Sequence, residues 1–316
     1  MARTKTEQRH SASKALDTLP PESALAAICD VQIAAALAVR GAIAPIASAA
    51  EAVAACLRAG GRLVYAGAGS SGLMALADAL EIPGTFGIPR EQIVILLSEG
   101  LETIAQFAAE SEDDAERGAE AVRALRLGGA DCMIALSASG TTPYPLAALT
   151  AARECGVKTI AIANNSGAPL LERADIAIHL DTPPEIIACS TRMGAGTAQK
   201  IALNMISTQA GIHLGHIHDG YMVNVRPENA KLRERARSMV RAITGCDEAT
   251  ASGSVASAGG STKLAVLLAS GAPSLEAAVS LLEQSGGVLR AALQRLHARE
   301  GQNFTAPDGA STGAAT

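Results

Sequence analysis

The sequence predicts an α/β fold, in which a mainly parallel sheet is flanked by helices, preceded by N-terminal helices and followed by a small C-terminal helical module. Between residues 62 and 179, short apolar runs of strand length alternate with helix-like segments, an order typical of parallel sheets. Two of these runs end in turns rich in Gly, Ser and Thr. Hydrophobic residues make up 48% of the 316 residues, which permits one large core built from aliphatic side chains, because Trp is absent.

Apolar residues at helical spacing over residues 22–59 predict about two N-terminal helices. We expect a break near Pro45, and we expect Gly60 and Gly61 to end the second helix. Five strands are predicted, over residues 62–66, 92–97, 132–136, 158–163 and 176–179. Further helices are predicted from Gly72, near residues 99–109, from Tyr144 and over residues 191–217. The order of the strands within the sheet does not follow from the sequence.

The C-terminal part begins with a Gly/Ser/Ala-rich interval, residues 249–262, whose composition is typical of a linker. Residues 263–296 then predict three short helices separated by Gly-Ala-Pro and Ser-Gly-Gly turns. These patterns predict four segments: an N-terminal helical segment (1–52), a central α/β domain (53–245), a small C-terminal helical module (246–300) and a disordered tail (301–316).

Composition argues against several classes of function. The 26 Lys and Arg residues and 31 Asp and Glu residues give a net charge of −5 without a dense basic stripe, so we expect no nucleic-acid partner. Six cysteines are scattered without the paired spacing of a structural zinc site, which favours reduced thiols in a cytoplasmic protein. Because the N-terminal residues are polar and no uncharged apolar run is long enough to span a bilayer, we expect neither a signal peptide nor a membrane association.

Two loops, GAGSSG at residues 67–72 and SASGTTPY at residues 137–144, each follow an apolar strand and open a helix. Exposed backbone N–H groups at a helix start favour an oxyanion, whereas an ordinary strand-to-helix turn explains either loop taken alone. Two loops in matched positions favour the anion site. The sequence contains no GxxxxGK[ST] phosphate loop, and we expect the anion to be a sugar phosphate rather than a nucleotide. The hydroxyl donors in these loops are Ser70, Ser71, Ser137, Ser139 and Thr142.

Two acidic features are candidates for proton transfer. Glu81 lies among apolar neighbours in ALEIPG, and burial there would raise its pKa. The run ESEDDAERG, residues 110–118, is interpreted by default as a solvated helix start, where acidic side chains favour the helix dipole. A pair of carboxylates suits an elimination or isomerisation, because one group removes a proton from carbon and the other protonates the departing oxygen.

Histidines and basic residues give weaker signals. His213, His216 and His218 are close in sequence, but no carboxylate or Cys accompanies them at ligand spacing, so we predict no metal site. Arg192 and Lys200 flank GAGTAQ, and either a phosphate contact or a helix-surface position is consistent with that spacing.

Several segments together form a specific pattern. They are TEQR, LDTLPPES, GGRLVYAGAGSSG, DALEIPGTFG, EDDAERG, SASGTTPYP, PPEIIACSTRMGAGTAQKIALNMIST and GYMVNV. In these motifs the chain resembles the N-acetylmuramic acid 6-phosphate etherases, a branch of the sugar isomerase (SIS) fold. The resemblance covers about residues 4–295, and its TRM…GTAQK…LNM…ST stretch is highly specific.

The resemblance implies a SIS-type sheet and a cofactor-independent lyase that breaks the D-lactyl ether of N-acetylmuramic acid 6-phosphate. The products would be N-acetylglucosamine 6-phosphate and D-lactate, formed during peptidoglycan recycling. It also implies a catalytic pair, in which Glu81 protonates the leaving ether oxygen and Glu112 handles the C2 proton. The loop hydroxyls would hold phosphate or sugar hydroxyls, and the protein would be a homodimer with its sites near the subunit interface.

Three positions depart from the family pattern. Leu73, Thr141 and Gly194 stand where the family usually has basic residues. A cation that contacts a phosphate in a partly buried site contributes about 1.5 to 3 kcal/mol. The departures keep two alternatives open: a divergent lyase acting on another amino-sugar acid ether, and a non-catalytic regulator that binds a sugar phosphate. An aldose–ketose isomerase fits the fold but not the TRM…GTAQK signature.

Overall fold

The computed structural model describes residues 4–100, 109–225 and 230–303. Three 3-10 turns open the chain, followed by helix α1 (Pro21–Ala38), a further 3-10 turn (Val39–Ala42) and helix α2 (Ile43–Arg58). The break between the helices therefore precedes Pro45, which lies in the first turn of α2, where a missing N–H costs no hydrogen bond. Gly60 follows α2 with φ +77°, so the second helix ends where predicted.

The central sheet has five parallel strands in the order β2-β1-β3-β4-β5. Their bounds are Leu63–Gly67 (β1), Ile93–Leu97 (β2), Cys132–Leu136 (β3), Lys158–Ala163 (β4) and Ile176–His179 (β5). The predicted fold class is confirmed, and every strand begins and ends within one residue of its predicted range. Strands β1 and β3 are buried throughout, as expected of parallel strands whose two faces are both covered.

Helices connect the strands and cover the sheet. They are α3 (Gly69–Phe86), α4 (Ala115–Leu125), α5 (Pro143–Glu154), α6 (Pro169–Arg173) and α7 (Gly194–His213). A 3-10 turn, Ala109–Asp113, precedes α4. The helix predicted near residues 99–109 falls largely outside the described residues. One core cluster packs the apolar side chains of β1, β3 and β4 against those of α5, and Val64, Met133 and Leu149 are among its fully buried members.

Strand order decides where a ligand site forms. From β1 the chain crosses to β2 on one side, and from β3 it crosses to β4 on the other, so the carboxyl ends of β1 and β3 border a crevice. Residues 67–72, here called loop 1, leave β1 at that crevice, and residues 137–142, loop 2, leave β3 beside them. Both Gly/Ser loops therefore lie together at the topological switch point, where open α/β sheets bind their ligands.

A second compact unit comprises Gly84–Gly87 and the described residues from Leu214 onward. It contains a short antiparallel hairpin and five helices with their own aliphatic core. The elements are β6 (Ile217–His218), β7 (Tyr221–Met222), α8 (Ala230–Thr244), α9 (Glu248–Ser257), α10 (Thr262–Ala269), α11 (Leu275–Gln284) and α12 (Leu289–Asn303). The unit includes the predicted module 246–300 together with the preceding hairpin and α8. Of the tail predicted to be disordered, residues 304–316 lie outside the described residues.

The linker predicted over residues 249–262 was wrong, because most of it is helix α9. Asp247 caps this helix by accepting the Thr250 N–H at 2.8 Å. Ala251 and Val255, four residues apart, are buried in the core of the second unit. The three helices predicted after this interval are confirmed as α10, α11 and α12.

Within the described residues, one segment is long and apolar enough by composition to cross a bilayer, namely Pro21–Arg58. This segment is interrupted by the 3-10 turn between α1 and α2, and both helices pack along α7. Such packing is typical of helices that cover one face of a folded α/β domain.

Candidate active site

Loop 2 gathers three of the predicted hydroxyl groups. The Ser137 Oγ lies 2.8 Å from the Thr142 Oγ1 and 3.2 Å from the Ser139 Oγ. Backbone N–H groups join this cluster, since Gly140 donates to the Ser137 Oγ at 3.0 Å and Thr141 donates to the Ser139 Oγ at 3.2 Å. The turn requires glycine at position 140, where φ is +71° and a Cβ would collide with a neighbouring alanine. Loop 2 is thus a compact cup of hydroxyl groups.

The cup lies at the N-terminus of α5. Thr142 is the N-cap and Pro143 the first helical residue, so the positive end of the helix dipole faces the hydroxyl cluster. Asn165, just beyond β4, steadies the loop by donating from its Nδ2 to the Ser139 carbonyl at 3.1 Å and to the Thr6 Oγ1 at 2.9 Å. Hydroxyl donors, a helix N-terminus and a fixed backbone together suit a phosphate group.

Loop 1 has a different character, because two carboxylates meet at its glycine. Gly69 donates its N–H to the Glu99 Oε1 at 3.0 Å. On the same residue, a Cβ would overlap the Glu112 Oε1, and φ of +51° also favours glycine. Ser70 and Ser71 follow in the first turn of α3, and Ser71 is buried. Loop 1 therefore places acids, rather than only hydroxyl donors, next to the crevice.

The acidic residues before α4 differ in what they contact. Asp114 caps α4 by accepting the Arg117 N–H at 2.9 Å, as the default interpretation predicts. Glu112 instead turns toward loop 1 from the 3-10 turn. Burial raises the pKa of Glu112, and the negative charges of Glu99 and Asp113 raise it further. A carboxylate with a raised pKa is a stronger base, which suits the removal of a proton from carbon.

Glu81 is not in the crevice of its own chain. Its side chain is exposed on α3, so the burial considered from the sequence does not occur in a single chain. Twelve residues separate Glu81 from Gly69, which corresponds to about 18 Å along the helix axis at about 1.5 Å per residue. Because Glu112 contacts Gly69, the structure does not bring the two predicted acids together within one chain.

One turn before Glu81, a buried acid fixes α3 in place. Asp78 is 5% exposed and accepts three hydrogen bonds, from the Tyr65 hydroxyl at 2.8 Å, the Asn204 Nδ2 at 2.8 Å and the Ser207 Oγ at 3.0 Å. These partners lie on β1 and α7, so Asp78 locks the middle of α3 to both elements. Asp78 was not among the residues predicted from the sequence, although an acid within an otherwise apolar helix is a usable signal.

An apolar groove of about 470 Å³ runs between α2 and α7, near the hydrogen bonds of Asp78. Its lining residues are Ile43, Ile46, Ala47, Ile201, Asn204, Met205, Thr208 and Gln209. Asn204 lines the groove and also donates to Asp78 on α3. Glu81 therefore lies one helical turn from a residue that contacts the wall of the groove. Ile43, which lines this groove, is 53% exposed. An exposed apolar region of this kind is typical of a protein–protein contact.

The three positions at which the family pattern usually has a basic residue differ in their surroundings. Thr141 is exposed at the rim of loop 2, and Leu73 is half-buried in α3. Gly194 begins α7, where its N–H and that of Ala195 both donate to the Glu185 carboxylate at 2.8 Å. A Cβ at Gly194 would lie 3.0 Å from the Glu185 Oε2, so a side chain there faces a buried carboxylate. Of the three positions, Thr141 is the one from which a long basic side chain could most directly reach the hydroxyl cup of loop 2.

The remaining predicted candidates do not form a site. In the part of the chain that the structure describes, no three His, Cys, Asp or Glu side chains are grouped to hold a metal ion. His213 ends α7, whereas His216 and His218 belong to the second unit. Lys200 is exposed on α7, which agrees with the helix-surface alternative, whereas Arg192 is exposed in the turn that precedes this helix.

The chain as a whole is similar to known proteins. A family model described as "SIS domain" matches residues 33–164. An N-acetylmuramic acid 6-phosphate etherase from Deinococcus radiodurans is 43% identical, covering 92% of this chain and 95% of that protein. Proteins of the same name from Cutibacterium acnes and Aeromonas hydrophila are 38% and 39% identical, covering 93% and 90% of this chain and 97% and 95% of their own lengths. A solved phosphoheptose isomerase from Francisella tularensis aligns with a TM-score of 0.49 and 21% identity, covering 61% of this chain and all of that one.

Proposed function

Because this chain belongs to the N-acetylmuramic acid 6-phosphate etherases, a family of carbon–oxygen lyases, we propose that loops 1 and 2 form the site of ether cleavage. The reaction splits the D-lactyl ether of the sugar phosphate into N-acetylglucosamine 6-phosphate and D-lactate, a step of peptidoglycan recycling. The single observation that carries the proposed site is the meeting of Glu112 with loop 1 at Gly69, beside the hydroxyl cup of loop 2.

The phosphate of the substrate binds in loop 2. Ser137, Ser139 and Thr142 supply hydroxyl groups, and the N-terminus of α5 supplies a favourable dipole. Loop 1 does not suit the phosphate, because the Glu99 and Glu112 carboxylates already lie against Gly69 and would repel it. Ser70 and Ser71, at the start of α3, are placed to bind sugar hydroxyls. The sugar therefore extends from the cup of loop 2 toward Glu112.

Cleavage proceeds by elimination and then addition of water. In the ring-opened sugar, the aldehyde at C1 acidifies the C2 proton, and the Glu112 carboxylate removes it. The electron pair forms the C2–C3 double bond as the C3–O bond breaks, and Glu81 gives its proton to the departing D-lactate oxygen. Water, deprotonated by Glu81, then adds to C3, and Glu112 returns a proton to C2. Each proton-transfer group contributes a factor of about 10² to 10⁴ in rate.

Glu81 acts across a subunit interface. The C2–H and C3–O bonds lie on adjacent carbons, so both carboxylates must reach one small region, whereas α3 separates Glu81 from Gly69 by about 18 Å. We therefore propose a homodimer in which the partner's Glu81 completes the site that contains Glu112. The apolar groove between α2 and α7, which the exposed Ile43 lines, supports this face as the interface.

A cytoplasmic location is proposed on chemical grounds. All six cysteines are free thiols, three of them exposed, which suits a reducing compartment. The substrate is a phosphorylated sugar, so its enzyme must share the compartment in which the phosphate ester is present.

Release of D-lactate tests the proposed function. Purified protein incubated with N-acetylmuramic acid 6-phosphate should release D-lactate, and the unphosphorylated sugar should yield far less, because only the phosphate ester occupies loop 2. Binding of the sugar phosphate without release would favour the regulator, and release from a different amino-sugar acid ether alone would favour the divergent lyase.

Restoring a cation beside loop 2 should strengthen phosphate binding. Thr141→Arg places a guanidinium at the exposed rim of the hydroxyl cup, and a hydrogen bond to a charged group contributes about 1.5 to 3 kcal/mol. We expect KM for the phosphorylated sugar to fall by about tenfold or more. Thr141→Gln, long but uncharged, is the matched control. An equal change in KM for the unphosphorylated sugar would contradict a phosphate contact.

A further inference from the structure

Glu99 is a buried acid that the reaction above does not use. It lies two residues beyond the end of β2, is 7% exposed, and accepts the Gly69 N–H at 3.0 Å. Burying a carboxylate costs free energy, so a buried acid beside the crevice is expected to have a structural or an electrostatic role. Glu99 has both roles, because its hydrogen bond to Gly69 holds loop 1 in place and its negative charge lies near Glu112.

Glu99 and Glu112 are held together by their neighbours as well as by Gly69. The Ser111 Oγ donates to the Ser98 Oγ at 3.5 Å, which connects the turn that contains Glu112 to the residue before Glu99. Gly69 lies against both carboxylates. Its N–H donates to Glu99, and Glu112 occupies the space that a side chain at position 69 would need. Two like charges held in this way each disfavour the ionised form of the other.

The electrostatic surroundings of Glu112 identify Glu99 as its principal charged neighbour. After burial, Glu99 contributes most to the raised pKa of Glu112, ahead of the exposed Asp113 on the same turn. From α5, the neutral Tyr144 faces this region, and burial raises the pKa of its hydroxyl, with Arg117, Glu99 and Asp114 as its charged neighbours. Of these acids, Glu99 is the buried one, so its field is screened least by water.

We propose that Glu99 is a positioning residue that strengthens Glu112 as the base for the C2 proton, an inference that rests on the proposed role of Glu112. Its charge disfavours the ionised form of Glu112, so that Glu112 accepts a proton from carbon more readily. Its hydrogen bond to Gly69 holds the backbone against which Glu112 is placed. Abstraction of a proton from carbon is the demanding step for a carboxylate, and a stronger base accelerates it.

Glu99→Gln tests the charge separately from the hydrogen bond, because the amide oxygen still accepts the Gly69 N–H. Two changes are expected in the pH profile of kcat. The acid limb, where Glu112 becomes protonated, should move to lower pH, and the plateau should fall severalfold because the base is weaker. KM should change little. The pH dependence of the substrate phosphate is common to all variants and cancels in the comparison.

Controls make either outcome decisive. Glu99→Asp, which keeps the charge, should keep the acid limb near its wild-type position, and Glu120→Gln, on the exposed side of α4, should move neither limb nor plateau. An acid limb that stays in place in Glu99→Gln, whatever the plateau does, overturns the inference. If Glu112→Gln retains the same acid limb, the proposed role of Glu112 fails instead, so the two failures are distinguishable.

Discussion

Replacing Glu112 by Gln should lower kcat by about 10² to 10⁴, the usual contribution of one proton-transfer group. The amide has nearly the same shape as the carboxylate but cannot accept the C2 proton. Contacts with loop 2 are untouched, so affinity for the product N-acetylglucosamine 6-phosphate should remain within a few-fold of the wild type. The effect belongs to chemistry rather than to binding, because Glu112 lies against loop 1 and not in the hydroxyl cup.

Steady-state kinetics and calorimetric titration with the product separate these two quantities. Glu116→Gln, in the exposed first turn of α4, is the matched control and should retain wild-type kcat. A Glu112→Gln enzyme with near-normal kcat would remove Glu112 from the reaction. Loss of product binding together with kcat would instead point to a disordered crevice.

Replacing Glu81 by Gln should reduce kcat by a similar factor of about 10² to 10⁴, because the leaving ether oxygen then lacks a proton donor. This effect is expected even though Glu81 is exposed in a single chain, since the partner subunit's Glu81 serves each crevice. Sugar-phosphate binding should persist. Glu91→Gln, in the 3-10 turn before β2, changes an exposed acid of equal charge and should leave kcat unchanged.

Mixing the two inactive variants tests the cross-subunit arrangement. In a heterodimer of Glu81→Gln with Glu112→Gln, one crevice receives an intact Glu112 and the intact Glu81 of the other subunit. Co-expression with two different affinity tags, followed by purification of the mixed dimer, should therefore restore about half of the wild-type activity per dimer. A mixed dimer as inactive as its parents would show that both acids act within one chain.

Much of the fold follows from the sequence. Strands β3, β4 and β5 begin and end where the apolar runs predict, because strands buried between two layers of helices are continuous apolar segments. Both Gly/Ser loops were also evident, since their small residues stand at the junction of a strand and a helix. The helix break near Pro45 was placed a few residues late, because proline is tolerated in the first turn of a helix.

Other features depend on interactions that local patterns do not encode. Strand order, which brings loops 1 and 2 together, is set by the direction of each crossover. Helix α9 resembled a linker because its small residues match linker composition, whereas its cap and its buried Ala251 and Val255 required the partner helices to be recognised. Glu99 carries no motif, although its place two residues after an apolar run was a usable signal. Finally, the distance between Glu81 and Glu112 follows from the length of α3.

The exchange of the C2 proton with solvent tests the central claim most directly. The reaction with N-acetylmuramic acid 6-phosphate is run in D₂O, and C2 of the N-acetylglucosamine 6-phosphate product is examined by NMR. Removal of this proton by Glu112 and its later return from solvent predict a product deuterated at C2, and Glu112→Gln should form almost none. A wild-type product that retains its original C2 proton would contradict the account, in which the proton taken up by Glu112 exchanges with solvent before C2 is protonated again.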